Sequence, residues 1–134
     1  MSMNDKELYN LAEKAAEGAF APFSNFKVGA ALLTASGKVF TGANVENSSY
    51  GATICAERAA AIKAVTEGER ELVAIAIAAP GSGAPAWPCG ICRQFLFEFG
   101  ESLYVTTGAD VNSLETVTLN ELLPKGFRLD RGSK

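Results

Sequence analysis

The chain has 134 residues, of which 48% are apolar, and its formal net charge is −3 at pH 7. A chain of this length is expected to form one domain, residues 1–134, and to bury roughly two thirds of its unfolded surface. The acidic balance and the lack of a basic patch argue against a nucleic acid partner. The polar start of the sequence and the lack of ~20 consecutive apolar residues predict neither a secretion signal nor a membrane span, so we expect a cytoplasmic protein.

The first half of the chain predicts a helix and then a β-hairpin. Asn4 and Glu7 have the spacing of a capping box at the start of an amphipathic helix, and Gly18 is a typical helix end. Two strand-like runs, residues 28–34 and 39–45, lie on either side of a short turn sequence and predict an antiparallel pair. The polar residues that follow predict a loop.

The second half alternates between helix and strand. Its predicted elements are a helix over 55–65, a strand over 72–79, a loop over 80–88, a helix over 89–98, and strands over 103–107 and 116–119. The strand over 72–79 is continuously apolar, as expected when both faces are covered. A parallel crossover needs a dozen or more residues, and the link between the last two strands is shorter, so we expect these strands to be antiparallel.

These elements together predict a sheet of about five strands with helices on its faces, which is an α/β layer architecture. We expect order over about residues 4–127 and a frayed C-terminal tail over residues 128–134.

Two short motifs contain all three cysteines, Cys55-Ala56-Glu57-Arg58 and Pro88-Cys89-Gly90-Ile91-Cys92-Arg93. The chain has no histidine, which excludes Ser-His-Asp and Cys-His hydrolases and leaves a bound metal with three sulfur ligands. Each motif begins a predicted helix, and helix N-termini favour thiolates. Three protein ligands on a tetrahedral zinc leave one position open for water, which is typical of a catalytic site.

The residues that follow Cys55 predict how such a site works. Three thiolates exceed the charge of one Zn²⁺ by one, and Arg58 is placed to offset the excess by donating hydrogen bonds to them. Glu57 need not bind the metal, so its carboxylate is free to take a proton from a zinc-bound water and pass it on. The alternatives are a solvated Glu57 and a surface ion pair for Arg58.

Cys-x-Glu followed by Pro-Cys-x-x-Cys resembles the zinc deaminases. Further stretches over residues 26–31, 44–47, 50–51 and 122–127 are similar to the small homotetrameric cytidine deaminases of the three-cysteine zinc type. The resemblance covers about residues 5–127. It implies a three-layer α/β/α fold with a mixed five-stranded sheet whose last two strands are antiparallel, one Zn²⁺ per subunit, and sites at subunit interfaces of a homotetramer.

The implied reaction is hydrolysis of cytidine and deoxycytidine to uridine and deoxyuridine with release of ammonia, a step of pyrimidine salvage. Zinc-bound hydroxide would attack C4, with Cys55, Cys89 and Cys92 as zinc ligands and Glu57 moving protons to N3 and the leaving amine. Six residues would contact or lie near the nucleoside: Phe26 on the pyrimidine, Asn44 and Glu46 on the ribose 3′-hydroxyl, Ala56 through its backbone on the base, Phe127 from a neighbouring subunit, and Tyr50 near that interface.

The same residues allow other interpretations. Without the resemblance, Phe26 and Phe127 would be assigned to packing, and Asn44 and Glu46 to the capping of a loop. A sister deaminase of a small molecule such as blasticidin S is one alternative function, although the ribose motif that begins at Asn44 favours a nucleoside. A non-catalytic zinc or thiol-redox module is another, and it would need a carboxylate in the fourth zinc position.

Lys27 and Trp87 depart from the family pattern, which commonly has proline and a small polar residue at these positions. Trp87 would either narrow the entrance of the site or pack against a neighbouring subunit. Neither departure affects a predicted zinc ligand.

Overall fold

A computed structural model describes residues 3–131; residues 1–2 and 132–134 lie outside the described range. The elements follow one another as α1 (Asp5–Ala15), β1 (Gly29–Thr34), β2 (Val39–Ala43), α2 (Ala56–Thr66), β3 (Leu72–Ala78), α3 (Gly90–Phe97), β4 (Tyr104–Gly108), β5 (Leu114–Thr118) and α4 (Leu119–Leu122). Single 3-10 turns extend α1 over Ala16–Gly18 and interrupt the predicted loop over Tyr50–Ala52.

The five strands form one mixed sheet in the order β2-β1-β3-β4-β5. The β3–β4 pair is parallel, with α3 in the crossover, and the other three pairs are antiparallel. The predicted hairpin of the first two strands and the predicted antiparallel pairing of the last two are therefore confirmed. The pairing of β1 with β3 puts the hairpin beside the later strands and makes β1 an interior strand.

Helices cover both faces of the sheet, which confirms the three-layer α/β/α arrangement. Along β1, Ala31 and Leu33 belong to a core cluster with residues of α1, whereas Ala30 and Leu32 belong to a second cluster with residues of α2 and α3. The alternation follows from the two-residue period of a strand. A fully buried leucine such as Leu32 contributes about 2 kcal/mol relative to its exposed form.

The start of α1 follows the capping prediction. The Glu7 backbone N–H donates to Asn4 Oδ1 at 2.9 Å, and the Asn4 backbone N–H donates to Glu7 Oε1 at 3.1 Å. The reciprocal bonds satisfy two N–H groups that the helix itself leaves free, so this boundary is encoded locally.

The close approach of α2 to β2 depends on a glycine. A Cβ atom on Gly42 would lie 2.6 Å from the Ala60 backbone nitrogen and 2.8 Å from the Ala56 carbonyl oxygen. The buried face of α2 consists largely of alanines, which allows this approach. Helix α2 also carries residues 56–58, so this contact determines where they lie relative to the sheet.

Most strand boundaries differ from the prediction by one or two residues, and two of these differences have a clear local cause. Strand β2 ends at Ala43, because Val45 leaves the sheet to form isolated bridges with Phe20 and Ile54. Strand β5 ends at Thr118, where a capping box with Glu121 starts α4 and takes Leu119 into the helix. The Thr-x-x-Glu spacing indicates a helix start at Thr118. The β-branched residues before it favoured a strand instead, so the predicted strand was extended to residue 119.

Part of the predicted tail contacts the domain. Arg128 forms an ion pair with Glu101, and Arg131 Nε lies 3.5 Å from a Glu98 carboxylate oxygen. Residues 132–134 of that tail lie outside the described range, and the proposed single domain stays a prediction. No helix within residues 3–131 is both long and apolar enough to cross a membrane.

Candidate active site

The three cysteines meet where two helices begin. Cys55 immediately precedes α2, Cys89 immediately precedes α3, and Cys92 lies in the first turn of α3. Their Sγ atoms all lie within 4.8 Å of one another, and the Cys55 and Cys89 Sγ atoms are 4.0 Å apart. The unpaired backbone N–H groups and the positive end of each helix dipole favour thiolates here.

This cluster fits a tetrahedral zinc ion. A Zn–S distance of ~2.3 Å places neighbouring sulfurs about 3.8 Å apart, close to the spacing of these thiols. Cys92 is buried, Cys55 is half-buried and Cys89 is exposed, so the cluster opens toward one side. The donor set therefore suits a soft, borderline ion such as zinc and leaves one coordination position accessible.

The Cys55 and Cys92 thiols share a hydrogen bond that shifts their pKa values in opposite directions. The hydrogen bond with Cys92, with help from Arg58 and Cys89, lowers the pKa of Cys55 to about 5. The same hydrogen bond and burial raise the pKa of Cys92. A bound cation would favour the thiolate form of the cysteines that hold it.

Arg58 lies beside the cluster, as its spacing from Cys55 predicted. Its Nη2 donates to the Thr53 carbonyl at 3.1 Å and lies 4.0 Å from Cys55 Sγ. Its Nε is buried without a hydrogen-bond partner among the described residues. Arg93, the second cationic residue of the motifs, instead donates from Nε to the Pro88 carbonyl at 2.7 Å and from Nη1 to the Leu122 carbonyl at 2.8 Å.

Glu57 is buried in the first turn of α2, with only 4% of its surface exposed. Burial raises the pKa of its carboxyl to about 7, and the nearby charge of Cys55 adds to this effect. The alternative of a solvated glutamate is therefore wrong. A carboxyl with a pKa close to neutral is suited to both accepting and donating a proton.

A cavity of about 370 Å³ connects these groups. It brings together six of the predicted site residues: Phe26, Asn44, Cys55, Ala56, Glu57 and Cys89. The structure adds residues that the sequence did not indicate: Val28, Thr53, Ile77, Pro85 and Ala86. Ile77 lies near the carboxyl end of β3, a common location for sites in α/β sheets, but that signal required knowledge of the sheet order.

Two aromatic side chains take part in the cavity wall. Phe26 is 48% exposed, so its assignment to the core is wrong. Trp87 lines the same cavity and also packs against the core cluster beneath it. Trp87 was expected either at the entrance of the site or against a neighbouring subunit. In the single chain it lies at the cavity.

Asn44 and Glu46 hold the segment that precedes β1. Asn44 Nδ2 donates to the Phe26 carbonyl at 2.8 Å, and Asn44 Oδ1 accepts from the Val28 N–H at 2.9 Å. Glu46 Oε1 accepts from two backbone N–H groups of the same segment. Glu46 and Tyr50 line a neighbouring cavity of about 360 Å³, and Thr53 lines both cavities.

Phe127 lies away from the cavity of its own chain. Its side chain is 62% exposed, and its carbonyl oxygen accepts from Gln94 Nε2 at 3.0 Å. Tyr50 is also exposed, with its ring centroid 6.3 Å from that of Phe23. Neither residue completes the cavity from within the described chain.

A three-layer α/β fold with a cluster of three thiols, two of them lining a cavity beside a buried carboxyl, defines a class of zinc-dependent hydrolytic enzyme. A family model described as the cytidine and deoxycytidylate deaminase zinc-binding region matches residues 2–107. The chain is 46% identical over 126 residues to a cytidine deaminase of Halalkalibacterium halodurans, covering 93% of this chain and 95% of that protein.

Solved structures agree with the sequence comparison. The fold matches a cytidine deaminase of Burkholderia pseudomallei with a TM-score of 0.87 and 44% identity, covering 93% of this chain and 100% of that one. A cytidine deaminase of Mycobacterium tuberculosis matches with a TM-score of 0.84 and 41% identity, covering 96% of this chain and 100% of that one. The chain belongs to the cytidine and deoxycytidylate deaminase family, as the resemblance implied, and its cysteine cluster fits the three-cysteine zinc type.

Proposed function

We propose that this protein hydrolyses cytidine and deoxycytidine to uridine and deoxyuridine with release of ammonia. The buried carboxyl of Glu57 beside the thiols of Cys55 and Cys89 is the observation that carries the proposal. The cytidine deaminases to which the chain is similar support the choice of a cytosine nucleoside. Recovery of uracil nucleosides in this way belongs to pyrimidine salvage, which we place in the cytoplasm.

The chemistry is divided between the metal and Glu57. Cys55, Cys89 and Cys92 would hold a zinc ion, which would supply Lewis-acid activation of a water placed to attack C4. Glu57 accepts a proton from this water and delivers it to N3 of the base. The second proton of the water, now on the oxygen bound to C4, passes through the same carboxyl to the amine. The C4–N bond then breaks, the C4 carbonyl forms and ammonia leaves, so that one water is consumed for each nucleoside.

The nucleoside is held by groups around the two neighbouring cavities. We place the pyrimidine against Phe26 and the Ala56 backbone, and the ribose 3′-hydroxyl between Asn44 and Glu46. Each side chain still has hydrogen-bonding capacity, because an amide has a second N–H and a second lone pair, and a carboxylate has about four acceptor positions. The position of Thr53 between the cavities supports a ligand that spans both.

Arg58 offsets the negative charge that remains when three thiolates hold one Zn²⁺. Its contact with Cys55 and its lack of an ion-pair partner among the described residues support this role.

We further propose a homotetramer in which Phe127 reaches the site of a neighbouring subunit and Tyr50 lies near that interface. The support is a set of large apolar side chains that are exposed on the single chain, among them Ile91, Phe127 and Leu129. Where exposed apolar side chains adjoin one another, they commonly mark an interaction surface.

Purified protein incubated separately with cytidine, deoxycytidine, cytosine and blasticidin S tests the proposal. Ammonia release from the two nucleosides, with the uracil nucleoside identified by its absorbance, is the expected result. Turnover of blasticidin S alone would assign the site to the sister reaction. A folded, zinc-loaded sample that releases no ammonia from any of the four would contradict a deaminase of these substrates.

A further inference from the structure

Phe26 reaches the cavity from a loop that contains no helix or strand. This loop, residues 21–27, connects the end of the α1 region to β1. At its centre, Asn25 has a φ of 58°, a left-handed conformation that most L residues avoid. Because no helix or strand fixes this loop, the direction of the Phe26 side chain depends on the contacts that hold the loop.

Those contacts come from residues 44–46. The backbone of this segment forms two hydrogen bonds with the backbone of Phe20, just before the loop. The Phe20 N–H donates to the Asn44 carbonyl at 2.9 Å, and the Phe20 carbonyl accepts from the Glu46 N–H at 2.8 Å. Farther along the loop, Glu46 Oε1 accepts from the backbone N–H groups of Phe23 and Ser24, at 2.9 and 3.2 Å. The Ser24 hydroxyl donates to the other Glu46 oxygen.

Both peptide groups that flank the Cα atom of Phe26 are held by side chains. The Phe26 carbonyl accepts from Asn44 Nδ2 at 2.8 Å, and the Phe26 N–H donates to Ser24 Oγ at 3.0 Å. When the planes on either side of a Cα atom are fixed, its φ and ψ are fixed, and so is the direction in which the side chain leaves the backbone. The first of these two anchors is Asn44, and the second is Ser24.

We propose that Ser24 is a positioning residue for Phe26. Its hydroxyl donates to Glu46 and accepts from the Phe26 N–H, so it transmits the fixed position of Glu46 to the aromatic ring at the cavity. The inference rests on the proposed function, because it assumes that Phe26 packs on the pyrimidine.

The expected effect of Ser24→Ala is a higher KM for cytidine with little change in kcat. Phe26 contacts the base before and during the reaction alike, and loss of such uniform binding affects KM rather than kcat. The increase should be about two- to tenfold, the range for one lost hydrogen bond. A merely structural role would instead lower the active fraction, and with it the apparent kcat, at an unchanged KM.

Ser36→Ala is the matched control. Ser36 is also exposed, and its hydroxyl donates to a glutamate, Glu69, at 2.9 Å, but it lies in the turn between β1 and β2. This variant should keep the KM of the wild type. Ser24→Thr retains a hydroxyl at the loop and should keep KM within about twofold of the wild type.

Uridine binding separates an effect on the position of the Phe26 ring from an effect on catalysis. Trp87 is the single tryptophan of the chain and lines the cavity, so its fluorescence reports uridine binding without turnover. The uridine Kd should rise in Ser24→Ala by the same factor as KM. In a Phe26→Leu background, Ser24→Ala should have almost no further effect, because the ring through which it acts is gone.

The outcomes are distinct. Three results would each overturn the inference while the proposed function stands. The first is a KM of Ser24→Ala equal to that of the wild type, and the second is an equal increase of KM in Ser36→Ala. The third is a Ser24→Ala effect that is undiminished in the Phe26→Leu background. A wild type that neither deaminates cytidine nor binds uridine would overturn the proposed function, and this inference with it.

Discussion

Glu57 combines burial, a raised pKa and a place at the cavity wall. Because its proposed task needs a group that gains and loses a proton, Glu57→Gln should reduce cytidine turnover by about 10²- to 10⁴-fold while the fold and zinc content are kept. Ammonia release, circular dichroism and zinc analysis measure the three quantities. Glu67→Gln, an exposed carboxyl at the other end of α2, is the control and should retain turnover.

Activity of Glu57→Gln near the wild-type level would remove Glu57 from the proton transfers. Loss of zinc from this variant would also contradict the account, because it would make Glu57 a ligand rather than a proton carrier.

Arg58 is the other residue whose role depends on charge. Arg58→Ala should weaken zinc binding by about 10- to 100-fold, because the excess negative charge of three thiolates loses its nearest cation. Competition with a coloured zinc chelator measures this affinity. Arg70→Ala is the control, since Arg70 also donates to backbone carbonyls but lies beyond the end of α2. Equal zinc affinity in the two variants would reject charge compensation by Arg58.

At the scale of elements, α2 connects the packing of the sheet to the chemistry. Gly42→Ala would force a Cβ into the backbone of α2 and should destabilise the protein by about 1–3 kcal/mol in urea unfolding. It should also weaken zinc binding, because Cys55 and Glu57 move with the helix. Gly18→Ala is the control, because a Cβ there meets nothing within 4 Å.

A Gly42→Ala protein with wild-type stability and zinc affinity would show that α2 is not held by this contact. A loss of stability with unchanged zinc affinity would show that the metal site is independent of how α2 lies on the sheet.

The elements that the sequence predicted well are those with local signals. The capping box of Asn4 and Glu7 starts α1, and the short link before β5 dictates an antiparallel pair. The cysteine motifs located the cluster because each sits at a helix start. The β1–β3 pairing depends on contacts far apart in sequence, which local patterns do not encode.

The same distinction applies to the site. The backbone groups that Asn44, Glu46 and Arg93 bind are up to 29 residues away, and no spacing rule connects such partners. Phe26 shows the converse case, because its position before an apolar strand favoured the core, whereas the loop turns its side chain toward the cavity.

At the scale of the whole molecule, the exposed apolar side chains predict association. Light scattering on the purified, zinc-loaded protein should give a mass four times that of the chain. Phe127→Ala should weaken the assembly or raise KM, because the ring is proposed to reach a neighbouring site. A monomer with full activity would contradict both the tetramer and the role of Phe127.

The central claim is that three cysteines of this chain hold the zinc on which cytidine deamination depends. Ammonia release from cytidine, measured before and after zinc chelation and again after addition of Zn²⁺ or Mg²⁺, tests it most directly. We predict that turnover is lost with the metal and returns with Zn²⁺ but not with Mg²⁺, because thiolates favour the softer ion. Unchanged turnover in protein verified to be free of zinc would contradict the claim.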